Sequence, residues 1–270
     1  MAADPSPLPA PRARRRAPPA PLPERREVAA GPWRLHARVA EGAAPPGAPA
    51  VVLVHGLGMS SRYMVPLARA LAPHLAVHAP DLPGFGRSER PPRALRTAEL
   101  AEAVLAYMDA AGLARAALLG NSYGCEIVLE LARRRPDRVE RLVLQGPTPD
   151  AEHRPGLVQA LGLLATAPVE RPAIVWVGLT DYLRAGPRRY LATFREMMRH
   201  PAERKLGEVR APALVVVGAR DPIVREADAR RFAEGLPRGG VSVVPGAAHG
   251  MVFSHPERLR DAILPFLLGA

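Results

Sequence analysis

Gly120-Asn121-Ser122-Tyr123-Gly124 holds a serine between two glycines at Gly-x-Ser-x-Gly spacing. A serine hydroxyl is a poor nucleophile at neutral pH. It needs a nearby base, usually an imidazole, and the imidazole needs a carboxylate to fix its tautomer and stabilise its charged form. Of eight histidines, only His249 follows a short apolar segment and a Pro-Gly turn, in the run Val241 to Gly250, with a final helical segment beyond. His255, its nearest rival, precedes Pro256 as at a helix start. Asp221 stands on a loop after the apolar run Leu214 to Val217; Asp150, after the preceding strand, is the less well placed alternative. Ser122, Asp221 and His249 are therefore the candidate nucleophile, carboxylate and base. Attack on a carbonyl generates an oxyanion, and each donor aimed at it contributes on the order of 10² to 10³ in rate. The N–H groups of Tyr123 and of Leu57, within His55-Gly56-Leu57-Gly58, are candidates for that role. Gly56, Gly58, Asn121 and Met251 are expected to contact substrate.

Such groups must be carried by strands and loops that converge. Trp33 to Val39 alternates apolar with polar, the period of a half-exposed strand. Ala50 to Val54 is a continuous apolar run suited to an inner parallel strand covered on both faces; Leu75 to Ala79, Ala116 to Leu119, Val139 to Leu144, Ala213 to Val217 and Val241 to Val244 repeat the design. Helical spacing covers Thr97 to Ala111, Ser122 to Arg135, Arg225 to Glu234 and Glu257 to Leu268, with Thr97 and Glu226 placed as caps or first-turn residues. Strand alternating with helix implies an α/β fold with a mostly parallel sheet and helices on both faces. The expected divisions are a disordered Pro/Arg-rich tail over 1–27, a core over 28–146 and 208–270, and a helical cap over 147–207, where no strand pattern is found. No repeat of 20 to 50 residues is present.

Composition narrows the partners. The net charge of +11 comes from arginines spread over the chain, with Lys205 the one lysine and 4% aromatic residues, so no basic stripe with stacking platforms points to nucleic acid. No apolar run reaches the roughly 18 to 20 residues needed to span a membrane, and no membrane partner is expected. Cys125 is the single cysteine, which removes any intramolecular disulfide and fits a cytoplasmic location.

His55 to Gly58, Asp81 to Ser88, the stretch 120 to 124, Gly218 to Asp221 and Gly246 to His249 occur in one order. In that order the chain resembles the α/β-hydrolase superfamily, specifically its capped serine hydrolases, from about Val39 to Leu268. The resemblance implies eight strands, no metal or organic cofactor, a site between core and cap, and a loop-shaping role for Asp81 to Ser88. Asn121 before the serine is similar to the meta-cleavage product hydrolases, which split carbon–carbon bonds, whereas Gly250 stands where those enzymes carry an aromatic residue.

The expected activity is hydrolysis of a carboxylic ester or related acyl bond in a small-molecule substrate through an acyl-enzyme. One alternative is carbon–carbon hydrolysis of a diketone acid held by Arg184, Arg188, Arg189 or Arg195; another is a non-catalytic binding protein. A serine at position 122 argues against epoxide or haloalkane hydrolysis, which this superfamily performs with an aspartate nucleophile. Met59, Tyr63, Trp176, Tyr182, Phe194 and Met251 are the large side chains that could line a pocket.

Overall fold

The apolar runs become the inner strands of one sheet. A computed structural model describes residues 20–148, 172–200 and 202–269. The strands are β1 (Glu24–Ala30), β2 (Trp33–Ala40), β3 (Ala50–Val54), β4 (Ala76–Pro80), β5 (Ala116–Asn121), β6 (Val139–Gln145), β7 (Ala213–Gly218) and β8 (Gly239–Val244). They lie in the order β1-β2-β4-β3-β5-β6-β7-β8. β2 runs antiparallel to both neighbours, and every pairing from β4 to β8 is parallel.

Successive side chains on β3 enter opposite layers: Val51 and Leu53 on one face, Val52 and Val54 on the other, all fully buried. Helices α1 (Ser61–Leu71) and α7 (Pro256–Leu268) cover the first face. Helices α2 (Thr97–Ala110), α3 (Tyr123–Arg134) and α6 (Glu226–Glu234) cover the second. Between β6 and β7 the chain forms α4 (Pro172–Ala185) and α5 (Pro187–Arg199).

The chain leaves β3 for β4 on one side and returns to place β5 on the other. Loops leaving the carboxyl ends of β3 and β5 therefore separate around a crevice, the usual position for a ligand in an open parallel sheet.

The structure corrects one boundary and adds one helix that the sequence reading lacked. Glu24–Glu27, assigned to the tail, are the first residues of β1, which pairs from Glu24↔Val39 to Ala30↔Trp33. An edge strand with solvated outer side chains carries Glu and Arg and shows no apolar alternation. Residues 1–19 of that tail lie outside the described residues. Helix α1 escaped notice because Pro66 sits inside it, where proline removes one backbone hydrogen bond; Tyr63, Met64, Leu67 and Leu71 nevertheless form a buried face that holds the helix. Thr97, expected at a cap or first-turn position, is the first residue of α2; Arg96 is the capping residue, and its N–H donates to Glu99 Oε2 at 2.8 Å.

Candidate active site

Ser122 lies between the end of β5 and the start of α3 with φ 53° and ψ −124°, and it is the one non-glycine residue with positive φ among the described residues. For a residue with a side chain this conformation costs on the order of 1–3 kcal/mol. The flanking glycines make the turn sterically feasible. A Cβ on Gly124 would lie 2.3 Å from the Val54 carbonyl oxygen, and one on Gly120 would lie 2.5 Å from the Cys125 nitrogen. Two hydrogen bonds hold the serine: its N–H donates to Gln145 O at 2.9 Å, and its carbonyl accepts from Cys125 N at 2.8 Å.

Asp221 and His249 come from the loops after β7 and β8, 28 residues apart in sequence. His249 Nδ1 lies 2.8 Å from Asp221 Oδ2, and both residues are buried. The other carboxylate oxygen, Oδ1, accepts the N–H groups of Ile223 at 2.8 Å and Val224 at 3.0 Å. With its carboxylate so anchored, Asp221 sets the ring plane of His249 and assigns the proton to Nδ1, leaving Nε2 as the basic nitrogen. Asp150, the alternative carboxylate, lies outside the described residues.

Ser122 and His249 line one cavity of about 190 Å³. Gly56, Leu57 and Met59 from the loop after β3, Ile223 beside Asp221, and Ile174, Leu179, Tyr182 and Met197 from α4 and α5 form much of the remaining wall. No Lys, Arg, Asp or Glu is among the described lining residues. Burial pushes the Tyr182 phenol far up, so it stays neutral.

Helices α4 and α5, which supply part of the wall, are tied to the core at two places. Asp181 of α4 accepts from Ser60 Oγ at 2.7 Å and Arg62 Nη2 at 3.0 Å. Glu196 of α5 accepts the Thr97 N–H at 3.1 Å, satisfying a donor at the amino end of α2 that has no intrahelical acceptor. Arg189 donates to the backbone carbonyls of Arg93 at 2.9 Å and Pro91 at 2.5 Å.

The remaining expected contacts divide. Leu57, Gly56 and Asn121 line the cavity. Tyr123 is the first residue of α3, so its N–H has no intrahelical acceptor; its side chain turns into the core, with the hydroxyl 3.0 Å from Thr97 Oγ1. Gly58 and Met251 are not on the cavity wall. Met251 is fully buried in the layer under α1 and α7, and Gly58, at φ +72°, abuts the Tyr182 ring, where a Cβ would lie 2.5 Å away. Of the large side chains considered, Met59, Tyr63 and Tyr182 line the cavity, Trp176 is exposed, and Phe194 packs on the core. Ile174, Leu179, Met197 and Ile223 were not anticipated. Ile223, two residues beyond Asp221, had a sequence signal; the other three depend on how α4 and α5 dock.

His55 is scaffold. Its Nδ1 donates to Gly56 O at 3.0 Å and its Nε2 accepts the Leu82 N–H at 3.0 Å, while full burial pushes its pKa down. The neutral ring joins the loop after β3 to the loop after β4.

Residues 49–167 match the family model described as alpha/beta hydrolase fold. A protein of Pseudomonas putida named dihydrolipoyllysine-residue acetyltransferase component of acetoin cleaving system is 31% identical over 92% of this chain and 70% of its own length. The chain belongs to the α/β-hydrolase superfamily. Two further superfamily relatives carry hydrolase names. One is the Caulobacter sp. strain K31 protein named "Putative carbamate hydrolase RutD", 29% identical over 81% of this chain and 90% of that one. The other is the pimeloyl-[acyl-carrier protein] methyl ester esterase of Pectobacterium atrosepticum, 29% identical over 80% and 93%. This α/β hydrolase thus combines an eight-stranded, mostly parallel sheet with a serine, a histidine–aspartate pair and a largely apolar cavity at the strand ends.

Proposed function

We propose that this α/β hydrolase cleaves an uncharged carboxylic ester or related acyl bond through an acyl-enzyme on Ser122. The observation that carries the reading is the buried 2.8 Å contact of His249 Nδ1 with Asp221, with His249 and Ser122 on the wall of one cavity. Ser122 Oγ attacks the acyl carbon as its proton passes to His249 Nε2. The tetrahedral oxyanion is held by the N–H groups of Leu57 and Tyr123. His249 returns the proton to the leaving alcohol as the C–O bond breaks, and water then repeats the sequence on the acyl-enzyme, restoring the serine. Asp221 stabilises the imidazolium in both halves. Helices α4 and α5 act as the cap that shields these steps from bulk water.

The wall chemistry supports an apolar acyl group. A diketone acid needs a cationic partner, and Arg184, Arg188, Arg189 and Arg195 are all absent from the described lining. Arg189 instead spends its guanidinium on backbone carbonyls. The methyl ester and carbamate named for two relatives are both acyl bonds to a heteroatom. The test is a panel of p-nitrophenyl esters of increasing acyl length beside a dienoate ring-fission product, with an organophosphonate label and Ser122→Ala as the blank. Ester turnover by the parent should exceed that of Ser122→Ala by at least about 10⁴-fold, with labelling confined to the parent. Equal activity of the two proteins, or turnover of the dienoate alone, would overturn the proposal.

A further inference from the structure

β5 and β6 are parallel neighbours, and their last residues, Asn121 and Gln145, sit side by side in register. Both are buried, Gln145 completely. A buried primary amide must place both its donor and its acceptor, and Gln145 does so on two functional segments. Its Nε2 donates to the His249 carbonyl at 3.1 Å, and its Oε1 accepts from Asn121 Nδ2 at 2.5 Å. Its backbone carbonyl accepts the Ser122 N–H at 2.9 Å.

The direction of this chain is forced. A peptide carbonyl can only accept, so the His249 oxygen requires the NH₂ end of Gln145, which turns Oε1 toward Asn121 and demands the NH₂ end of Asn121 in return. Asn121 Oδ1 is thereby left on the opposite side, 3.1 Å from the position a Gly56 Cβ would occupy. Asn121 and Gly56 both line the cavity.

We infer that Gln145 is a positioning residue that locks the His249 loop, the Asn121 amide and the Ser122 backbone into one frame. The inference rests on the proposed roles of Ser122 and His249. Gln145 does not itself line the cavity, so it acts through the residues it holds. Its loss leaves binding of an apolar acyl group intact and misaligns base and nucleophile.

The test combines two variants. Gln145→Met keeps approximate volume and removes both amide contacts. Asn121→Asp presents an acceptor to Gln145, so the Gln145 amide reverses and its oxygen faces the His249 carbonyl. Active sites are counted by stoichiometric phosphonate labelling, and kcat per labelled site and KM are measured on the best p-nitrophenyl ester. Each variant should lose about 10²-fold in kcat, the scale of a misplaced reacting group, with slower labelling, and in Gln145→Met, which leaves the cavity wall unaltered, KM should stay near the parental value. The double variant should lose no more than the worse single one, because both break one chain of bonds. A merely structural role would lower the labelled fraction and the melting temperature while leaving kcat per labelled site parental, and that result in either folded variant overturns the inference. Should Gln145→Met fail to fold, Asn121→Asp alone decides. Absence of labelling in the parent would overturn the proposed function and this inference together; labelling with parental turnover in the variants overturns the inference alone.

Discussion

Among the described residues two buried histidine–aspartate pairs occur, and they share much of their local chemistry. His36 Nδ1 lies 3.0 Å from Asp81 Oδ2, and His249 Nδ1 lies 2.8 Å from Asp221 Oδ2. Each carboxylate also accepts two backbone N–H groups: Ser61 at 2.6 Å and Arg87 at 2.9 Å for Asp81, Ile223 and Val224 for Asp221. What differs is the surroundings. His249 shares a cavity wall with Ser122, whereas His36 lies on β2, its N–H donating to Ser88 Oγ at 2.9 Å, and is not among the lining residues. The pair is therefore a common way to bury a carboxylate with its hydrogen bonds satisfied. Access to a cavity and to a hydroxyl makes one of them a candidate for catalysis.

The sharpest way to break this distinction is Asp221→Asn. The amide keeps an oxygen for the Ile223 and Val224 N–H groups but favours the wrong imidazole tautomer, so kcat should fall by about 10⁴ with the fold retained. Steady-state kinetics beside circular dichroism read both effects; a loss below about tenfold would place Asp221 with Asp81 as scaffold.

The reverse substitution, Asp81→Asn, should act on stability. Losing the charged acceptor of the His36 and backbone hydrogen bonds should cost about 3 kcal/mol, seen as a lower denaturant midpoint, while turnover per phosphonate-labelled site stays parental. Burial opposes ionisation of Asp81, but the His36 hydrogen bond and the backbone donors outweigh it and hold the carboxyl below its ordinary value. Its contribution is thus present above the unfolded-state pKa and is lost as pH falls through the folded one, so parent and Asp81→Asn should converge in stability on acidification. Loss of turnover in correctly folded Asp81→Asn would erase the contrast.

The smallest effect is expected at a carboxylate held mainly by arginines and remote from the cavity that Ser122 lines. Glu130 of α3 accepts from Arg134 Nε at 2.6 Å and Arg133 Nη2 at 2.9 Å. Burial alone would raise its pKa, yet the arginine hydrogen bonds and Lys205 bring it down from 4.5 to about 2. Glu130→Gln should cost about 1.5 kcal/mol near pH 7, the scale of a charged hydrogen bond. The folded pKa is the depressed one, so this difference should hold above pH 4.5 and fade toward pH 2. Urea titrations at several pH values follow it, and a difference that grew on acidification would contradict the assignment.

Much of the sheet could be read in the chain because inner strands are apolar on both faces: Ala50–Val54 coincides with β3, and Ala116 to Leu119 extends by two residues to include Gly120 and Asn121. β1 and α1 were not legible, since a solvated edge strand and a helix containing proline both suppress the expected period. At the site, Ser122, Asp221 and His249 were marked by loops that follow strands. Gln145 carried no comparable mark, because a glutamine at a strand end looks like any polar terminus until its neighbour across the ladder is known.

By itself the amino-acid sequence determined the element order, the glycines that permit the turn at Ser122, and the residue types able to move a proton. These are local properties, set by sterics and periodicity within a few residues. Only the tertiary structure decided which aspartate meets which histidine across 28 or 45 positions, that Met251 faces the core, and that α4 and α5 offer the cavity Ile174, Leu179, Tyr182 and Met197 with no arginine. Those outcomes depend on how elements pack, and packing is settled by the whole of the buried surface at once.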